Sequence, residues 1–294
     1  MECVNECAAS RPWQGLYRDV PFTIEPAVRT GLDMFRATAL RRREAALVHY
    51  FDRSISVGQC DDMSDALAAV LQLRGVQRGD RVALYLQNIP QMLIAVLAAW
   101  KCGAVIVPCN PMLRERELAK VLTDSGSRVL ICQDDLFIAV AQGTLPSTPV
   151  QHVITTSALD FLDPALPVPA VLAGVNRLGD TTVPDLMPLL EEHAGLTPAP
   201  VHLSGEDVAF MVYTSGTTGA PKGAMNTHRN VVFATSVYER WIGLTPADTI
   251  LGLAPLFHVT GLVGHVTLAM LTGSPLVLFY RFDPDPRWTP KTGH

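Results

Sequence analysis

The densest concentration of chemistry-bearing residues is Tyr213-Thr214-Ser215-Gly216-Thr217-Thr218-Gly219-Ala220-Pro221-Lys222-Gly223. Glycines at 216, 219 and 223 allow close backbone approach, and hydroxyls at 214, 215, 217 and 218 supply hydrogen-bond donors. Lys222 adds a mobile point charge, so the segment can surround a polyphosphate. Its glycine-to-lysine spacing is not that of a Walker A loop, and it lacks the Gly-x-Gly-x-x-Gly dinucleotide pattern. Read from composition alone, the same residues also suit a flexible surface loop.

A second candidate is Pro255-Leu256-Phe257-His258, where an imidazole donor stands beside an apolar wall. Taken by itself, His258 also fits a packing histidine. The other titratable residues have plainer readings. His228 supports a helix start, His265 packs in the core, and Asp61-Asp62 and Glu191-Glu192 are solvated helix-end charges. Arg41, Arg42 and Arg43 make too small a patch for nucleic acid or membrane and read as a solvated helix face. Cysteines 3, 7, 60, 102, 109 and 132 show neither zinc-ribbon nor redox spacing, which favours reduced thiols, with Cys102, Cys109 and Cys132 packed in or beside apolar segments and Cys3 and Cys7 in a frayed start.

The elements that must position these residues alternate between helix and strand. Helices are expected at 61–74, 89–102 and 114–124, with strands at 81–88, 104–107, 128–132 and 152–156. That order predicts a parallel sheet with helical crossovers. Residues 159–200 are proline-rich surface connections with a short helix at 183–193. A strand at 207–213 runs into the glycine-rich loop, a short strand at 223–225 leaves it, and a helix follows at 227–241. Strands at 250–254 and 275–280 flank a helix at 261–271.

With 294 residues, 48% hydrophobic and 17% charged, the chain can bury a sizeable core, and it is neither disordered nor fibrous. Its net charge of −5 argues against a nonspecific nucleic-acid binder but not against an anion held by local donors. The apolar windows at 92–100 and 259–271 are too short or interrupted for a transmembrane segment, and residues 1–15 lack a signal-peptide pattern. A cytoplasmic location is expected.

YTSGTTGAPKGAMNTHRN at 213–230 resembles the nucleotide motif of the adenylate-forming (AMP-binding) superfamily. AWKCGAVIVPCNP at 99–111 resembles a helix-to-strand segment of its larger domain, and LAPLFHVTG at 253–261 falls where that likeness requires. Pro255–His258 is most similar to fatty-acid and other acyl-CoA synthetases. The resemblance implies an α/β fold of layered sheets with flanking helices, as an incomplete N-terminal domain. It implies lead-in and first-subdomain elements over 1–60, an α/β subdomain over 61–200, and a partial second subdomain over 201–294, without the small C-terminal domain.

The reaction implied is ATP-dependent activation of a carboxylic acid, fatty acids foremost, to an acyl-adenylate, then thioester formation with CoA. ATP and Mg2+ would serve the first step and CoA would be the cosubstrate. Thr214, Ser215, Gly216, Thr217, Thr218, Gly219 and Lys222 would surround the phosphates. Thr214 and Lys222 would act in catalysis, Thr214 would also help place the metal, and Phe257 and His258 would border the acyl substrate. Absent after His258 are the Tyr-Gly-x-Thr-Glu and Thr-Gly-Asp motifs and an adenylation lysine. Weak or no adenylation by this chain alone is therefore expected, with a separate C-terminal half or covering protein as a partner. The alternatives are a noncatalytic nucleotide-binding or interaction module, a nonfunctional fragment and, from the coarse α/β pattern alone, an NAD oxidoreductase.

Overall fold

The computed structural model describes residues 16, 17, 21, 23–179, 182–214 and 221–281. Among these, two sheets are layered with helices. A six-stranded sheet runs in the order β6-β5-β3-β4-β7-β8, built from β3 (Arg81–Tyr85), β4 (Val105–Pro108), β5 (Val129–Gln133), β6 (His152–Thr156), β7 (Val208–Thr214) and β8 (Lys222–Thr227). All its neighbours are parallel except the antiparallel β7–β8 pair. A four-stranded sheet in the order β2-β1-β10-β9 joins β1 (Ala46–Tyr50) and β2 (Arg53–Ser56) to β9 (Ile250–Gly252) and β10 (Leu276–Leu278).

Strands β3, β4 and β5 read as continuous apolar runs because both of their faces are covered. Side chains alternate between the two faces with period two. Val82, Leu84, Ile106, Val129 and Ile131 enter the larger core, which they share with α1 (Gly31–Arg42), α2 (Val57–Leu73) and α3 (Gln91–Lys101). Ala83, Tyr85, Val107, Leu130 and Cys132 face the opposite way, toward Leu118, Val121 and Leu122 of α4 (Glu115–Ser125). Val48, Tyr50, Leu276 and Leu278 bring the four-stranded sheet into the larger core.

Helix α3 is buried along its whole length, including its two polar ends. Its terminal Lys101 is neutralised by Asp61 and Asp65, each at 2.7 Å, with Ser64 Oγ at 2.8 Å. Asp61 is thus not a solvated helix-end charge. Helix α2 starts at Val57, ahead of the expected start at 61, because Ser56 and Gln59 form a reciprocal capping box. Asp61 therefore lies in the helix body, facing inward, while Asp62 stays outside on Arg43. The other expected elements match to within a few residues. The sequence reading lacked α1, the β1–β2 hairpin, and the π-helical turn Leu262–Thr267 between the short helices Val259–Gly261 and Leu268–Thr272. A short helix, α5 (Leu186–Glu192), and a longer one, α6 (His228–Ile242), complete the elements used below. No helix among the described residues is long and apolar enough to cross a membrane.

Candidate functional site

Strand β7 carries the chain to the candidate loop and β8 carries it back. Thr214, the last residue of β7, is the direct cross-strand partner of Lys222, the first residue of β8, and both are exposed. Directly opposed residues have Cβ atoms about 5 Å apart. A hydroxyl-bearing and an ammonium-bearing side chain thus leave the backbone side by side at the neck of the loop. Ser215, Gly216, Thr217, Thr218 and Gly219 lie outside the described residues. Among the described residues no carboxylate pairs with Lys222.

The neck is braced from behind. Tyr213 donates its hydroxyl to Asp124 at the end of α4 (2.5 Å), and burial together with that carboxylate pushes the phenol's pKa up. A Cβ at Gly223, opposite Tyr213, would stand 2.9 Å from Met211 Cγ and 3.2 Å from the Tyr213 ring. The glycine thus accommodates its own hairpin partner. Further back, Trp100 donates Nε1–H to the Ala209 carbonyl of β7 (3.3 Å) and packs edge-on against Phe210 and His228. His228 is fully buried at the start of α6, where its Nδ1 accepts the Gly31 N–H (3.2 Å) and burial lowers its pKa to about 4. The Thr227–Asn230 capping box fixes the start of that helix.

Phe257 is half-buried and His258 is exposed. His258 caps the Val259–Gly261 helix, its Nδ1 accepting from the Thr260 N–H. The turn before it is fixed by Asn88 and Gly261, which sequence reading did not single out, and by His265, which it read only as a core residue and which is partly buried. Asn88 Oδ1 accepts the Leu256 N–H (2.9 Å) and Asn88 Nδ2 donates to the Ala254 carbonyl (3.4 Å). His265 Nε2 accepts the Ala254 N–H (3.1 Å), and burial lowers the His265 pKa, which keeps that nitrogen free to accept. Gly261 packs so tightly under the turn that a Cβ there would lie 2.2 Å from the Pro255 oxygen. The only sequence signals for the first two were a polar residue closing the expected strand 81–88 and a glycine three residues after His258.

Asn88 follows β3, and β3 and β7 are parallel to the β4 that separates them. The Thr214–Lys222 neck and the Pro255–His258 turn therefore meet the same C-terminal edge of the six-stranded sheet, at strands about 10 Å apart. Ligand crevices in open α/β sheets lie outside that edge. Two concavities of about 400 and 320 Å3, one beside Arg53, Met63 and Phe161 and the other beside Ile24, Leu244 and Leu271, include none of these four residues.

The layered fold is that of adenylate-forming enzymes. Residues 35–292 match the model of the family described as AMP-binding enzyme, and the chain belongs to that family. It is 31% identical over 290 residues to a long-chain-fatty-acid–CoA ligase of Bacillus subtilis, covering 94% of this chain and 51% of that protein. A medium-chain fatty-acid–CoA ligase of Escherichia coli is 32% identical over 241 residues, covering 82% of this chain and 40% of that one. The solved long-chain-fatty-acid–CoA ligase from Archaeoglobus fulgidus superposes with a TM-score of 0.72 at 25% identity, over 90% of this chain and 51% of its own. The chain thus spans about half the length of the relatives it matches.

Proposed function

We propose that this chain supplies the phosphate-binding and acyl-facing parts of an enzyme that joins a carboxylic acid to ATP and passes the acyl group to CoA. The observation that carries the reading is the pairing of Thr214 with Lys222 across the neck of the loop, on the sheet edge that also receives the Phe257–His258 turn. An anionic carboxylate must approach an anionic phosphate while charge grows on departing pyrophosphate, so a cation and hydroxyl donors at that place would stabilise the transition state. The loop residues Ser215, Gly216, Thr217, Thr218 and Gly219 belong to the same proposal through the sequence motif. No general base is needed, because the carboxylate already carries its nucleophilic charge.

Magnesium, when bound, would neutralise phosphate charge. Among the described residues no cluster of three His, Cys, Asp or Glu forms a metal cage. Mg2+ ordinarily relies on few protein oxygens together with substrate phosphates. The exposed Thr214 hydroxyl fits such a role. Phe257 would line the acyl substrate and His258 would present a donor at its border, and fatty acids are the class favoured by the names of the relatives. The four described cysteines are buried free thiols, and burial pushes Cys60, Cys102 and Cys109 up to about 12. Inert thiols of this kind suit a cytoplasmic location.

Equilibrium binding of MgATP to the 294-residue chain tests the reading. Saturable binding weakened about tenfold or more by Lys222→Ala is expected, since charge-assisted contacts contribute roughly 1.5–3 kcal/mol. Absence of binding, or indifference to Lys222→Ala, would sink it.

A further inference from the structure

We infer that Asn88 is a positioning residue of the acyl-activating site, holding the Pro255–His258 turn in place against the edge that carries the phosphate loop. The inference rests on the reading above and deepens it. Asn88 is 5% exposed and its carboxamide spends both ends on the backbone of one turn, accepting from Leu256 N–H (2.9 Å) and donating to the Ala254 carbonyl (3.4 Å). Only a side chain with a donor and an acceptor on one planar group can satisfy both.

The contact joins parts of the chain 166 and 168 residues apart. A second amide does the same on the neighbouring strand. Gln133, at the end of β5, donates Nε2–H to the Tyr280 hydroxyl just after β10 (2.8 Å) and accepts at its Oε1 from the Gln87 N–H (3.4 Å), next to Asn88. The segments that follow β9 and β10 in the smaller sheet are thus each fastened to the C-terminal edge of the larger one. Of the two clasps, Asn88 governs the place of Phe257 and His258, because Leu256 immediately precedes them and is itself fully buried. Ala254 is held from its other side by His265, so the turn has little freedom to adjust if the carboxamide is lost.

The experiment separates acyl placement from phosphate binding. Affinities of wild type, Asn88→Ala and Asn88→Asp would be measured for MgATP and for a hydrolysis-resistant palmitoyl-adenylate mimic, 5′-O-(N-palmitoylsulfamoyl)adenosine, with thermal unfolding recorded for each. Asn88→Ala is expected to weaken the mimic at least tenfold while MgATP affinity stays within twofold. Asn88→Asp keeps the acceptor for Leu256 but sets a buried carboxylate against the Ala254 carbonyl, so it should weaken the mimic at least as much as Asn88→Ala. A merely structural role would shift both ligands together. If wild type binds both and the variants weaken both equally, or neither, the Asn88 assignment is overturned alone. Failure of wild type to bind either ligand overturns the adenylating reading, and the Asn88 assignment with it. Should Asn88→Ala not fold, the same split is read from Asn88→Asp.

Discussion

At the scale of single residues, two glycines illustrate how neighbours decide what a Cβ costs. At Gly261 the atoms in the way are the Pro255 oxygen at 2.2 Å and its carbonyl carbon at 2.7 Å, all backbone, so nothing can swing aside. Gly261→Ala must move the turn bearing Phe257 and His258. A loss of about 1–3 kcal/mol in unfolding free energy is expected, read from the urea midpoint, with weaker binding of the palmitoyl mimic than of MgATP. An unchanged midpoint would show that the turn yields freely. Gly223 faces the flexible Met211 side chain instead, so Gly223→Ala should cost less than Gly261→Ala in the same titration.

At the scale of elements, buried charge and buried imidazole determine how the helices are fastened. His228 joins α6 to α1 and Trp100, and burial lowers its pKa from 6.5 to about 4. The unfolded chain therefore takes up this proton first as pH falls. The contribution to stability is complete above pH 6.5 and is lost on the way down to about 4, amounting to about 3 kcal/mol. Denaturant midpoints between pH 7 and 4 should fall in the wild type and fall less steeply in His228→Asn; parallel curves would refute this. Helix α3 is fastened by Lys101 between Asp61 and Asp65. Removing both carboxylates in Asp61→Asn/Asp65→Asn leaves an ammonium uncompensated and should cost about 3–5 kcal/mol, whereas Lys101→Met should cost much less. Equal losses in the two variants would contradict that account.

At the scale of the whole molecule, the larger sheet ends on β8 and the smaller one on β9, so each leaves an edge strand. Around these edges Phe233, Trp241 and Ile242 of α6, with Leu251 and Leu253, are 40–58% exposed. Exposed edges and apolar side chains favour self-association. Sedimentation velocity at high micromolar concentration should show a rising mean mass that falls in Phe233→Lys/Leu251→Lys. A concentration-independent monomer would count against an adhesive surface.

Much of the fold and part of the site were legible along the chain, and the limit falls where contacts become long-range. Strands such as 152–156 and the crossover helices announced themselves through apolar runs, β-branched residues and stop signals that act within a few residues. The order Tyr213–Gly223 likewise pointed to the family the chain belongs to, because its motif is a run of adjacent residues. Local patterns do not say which distant segment will lie opposite. Tertiary structure alone decided that β1 pairs with β10, that Asp61 turns inward to Lys101, and that Asn88 holds Leu256. An asparagine after a strand, or a carboxylate one turn into a helix, acquires its role only when packing removes water and brings distant partners within reach.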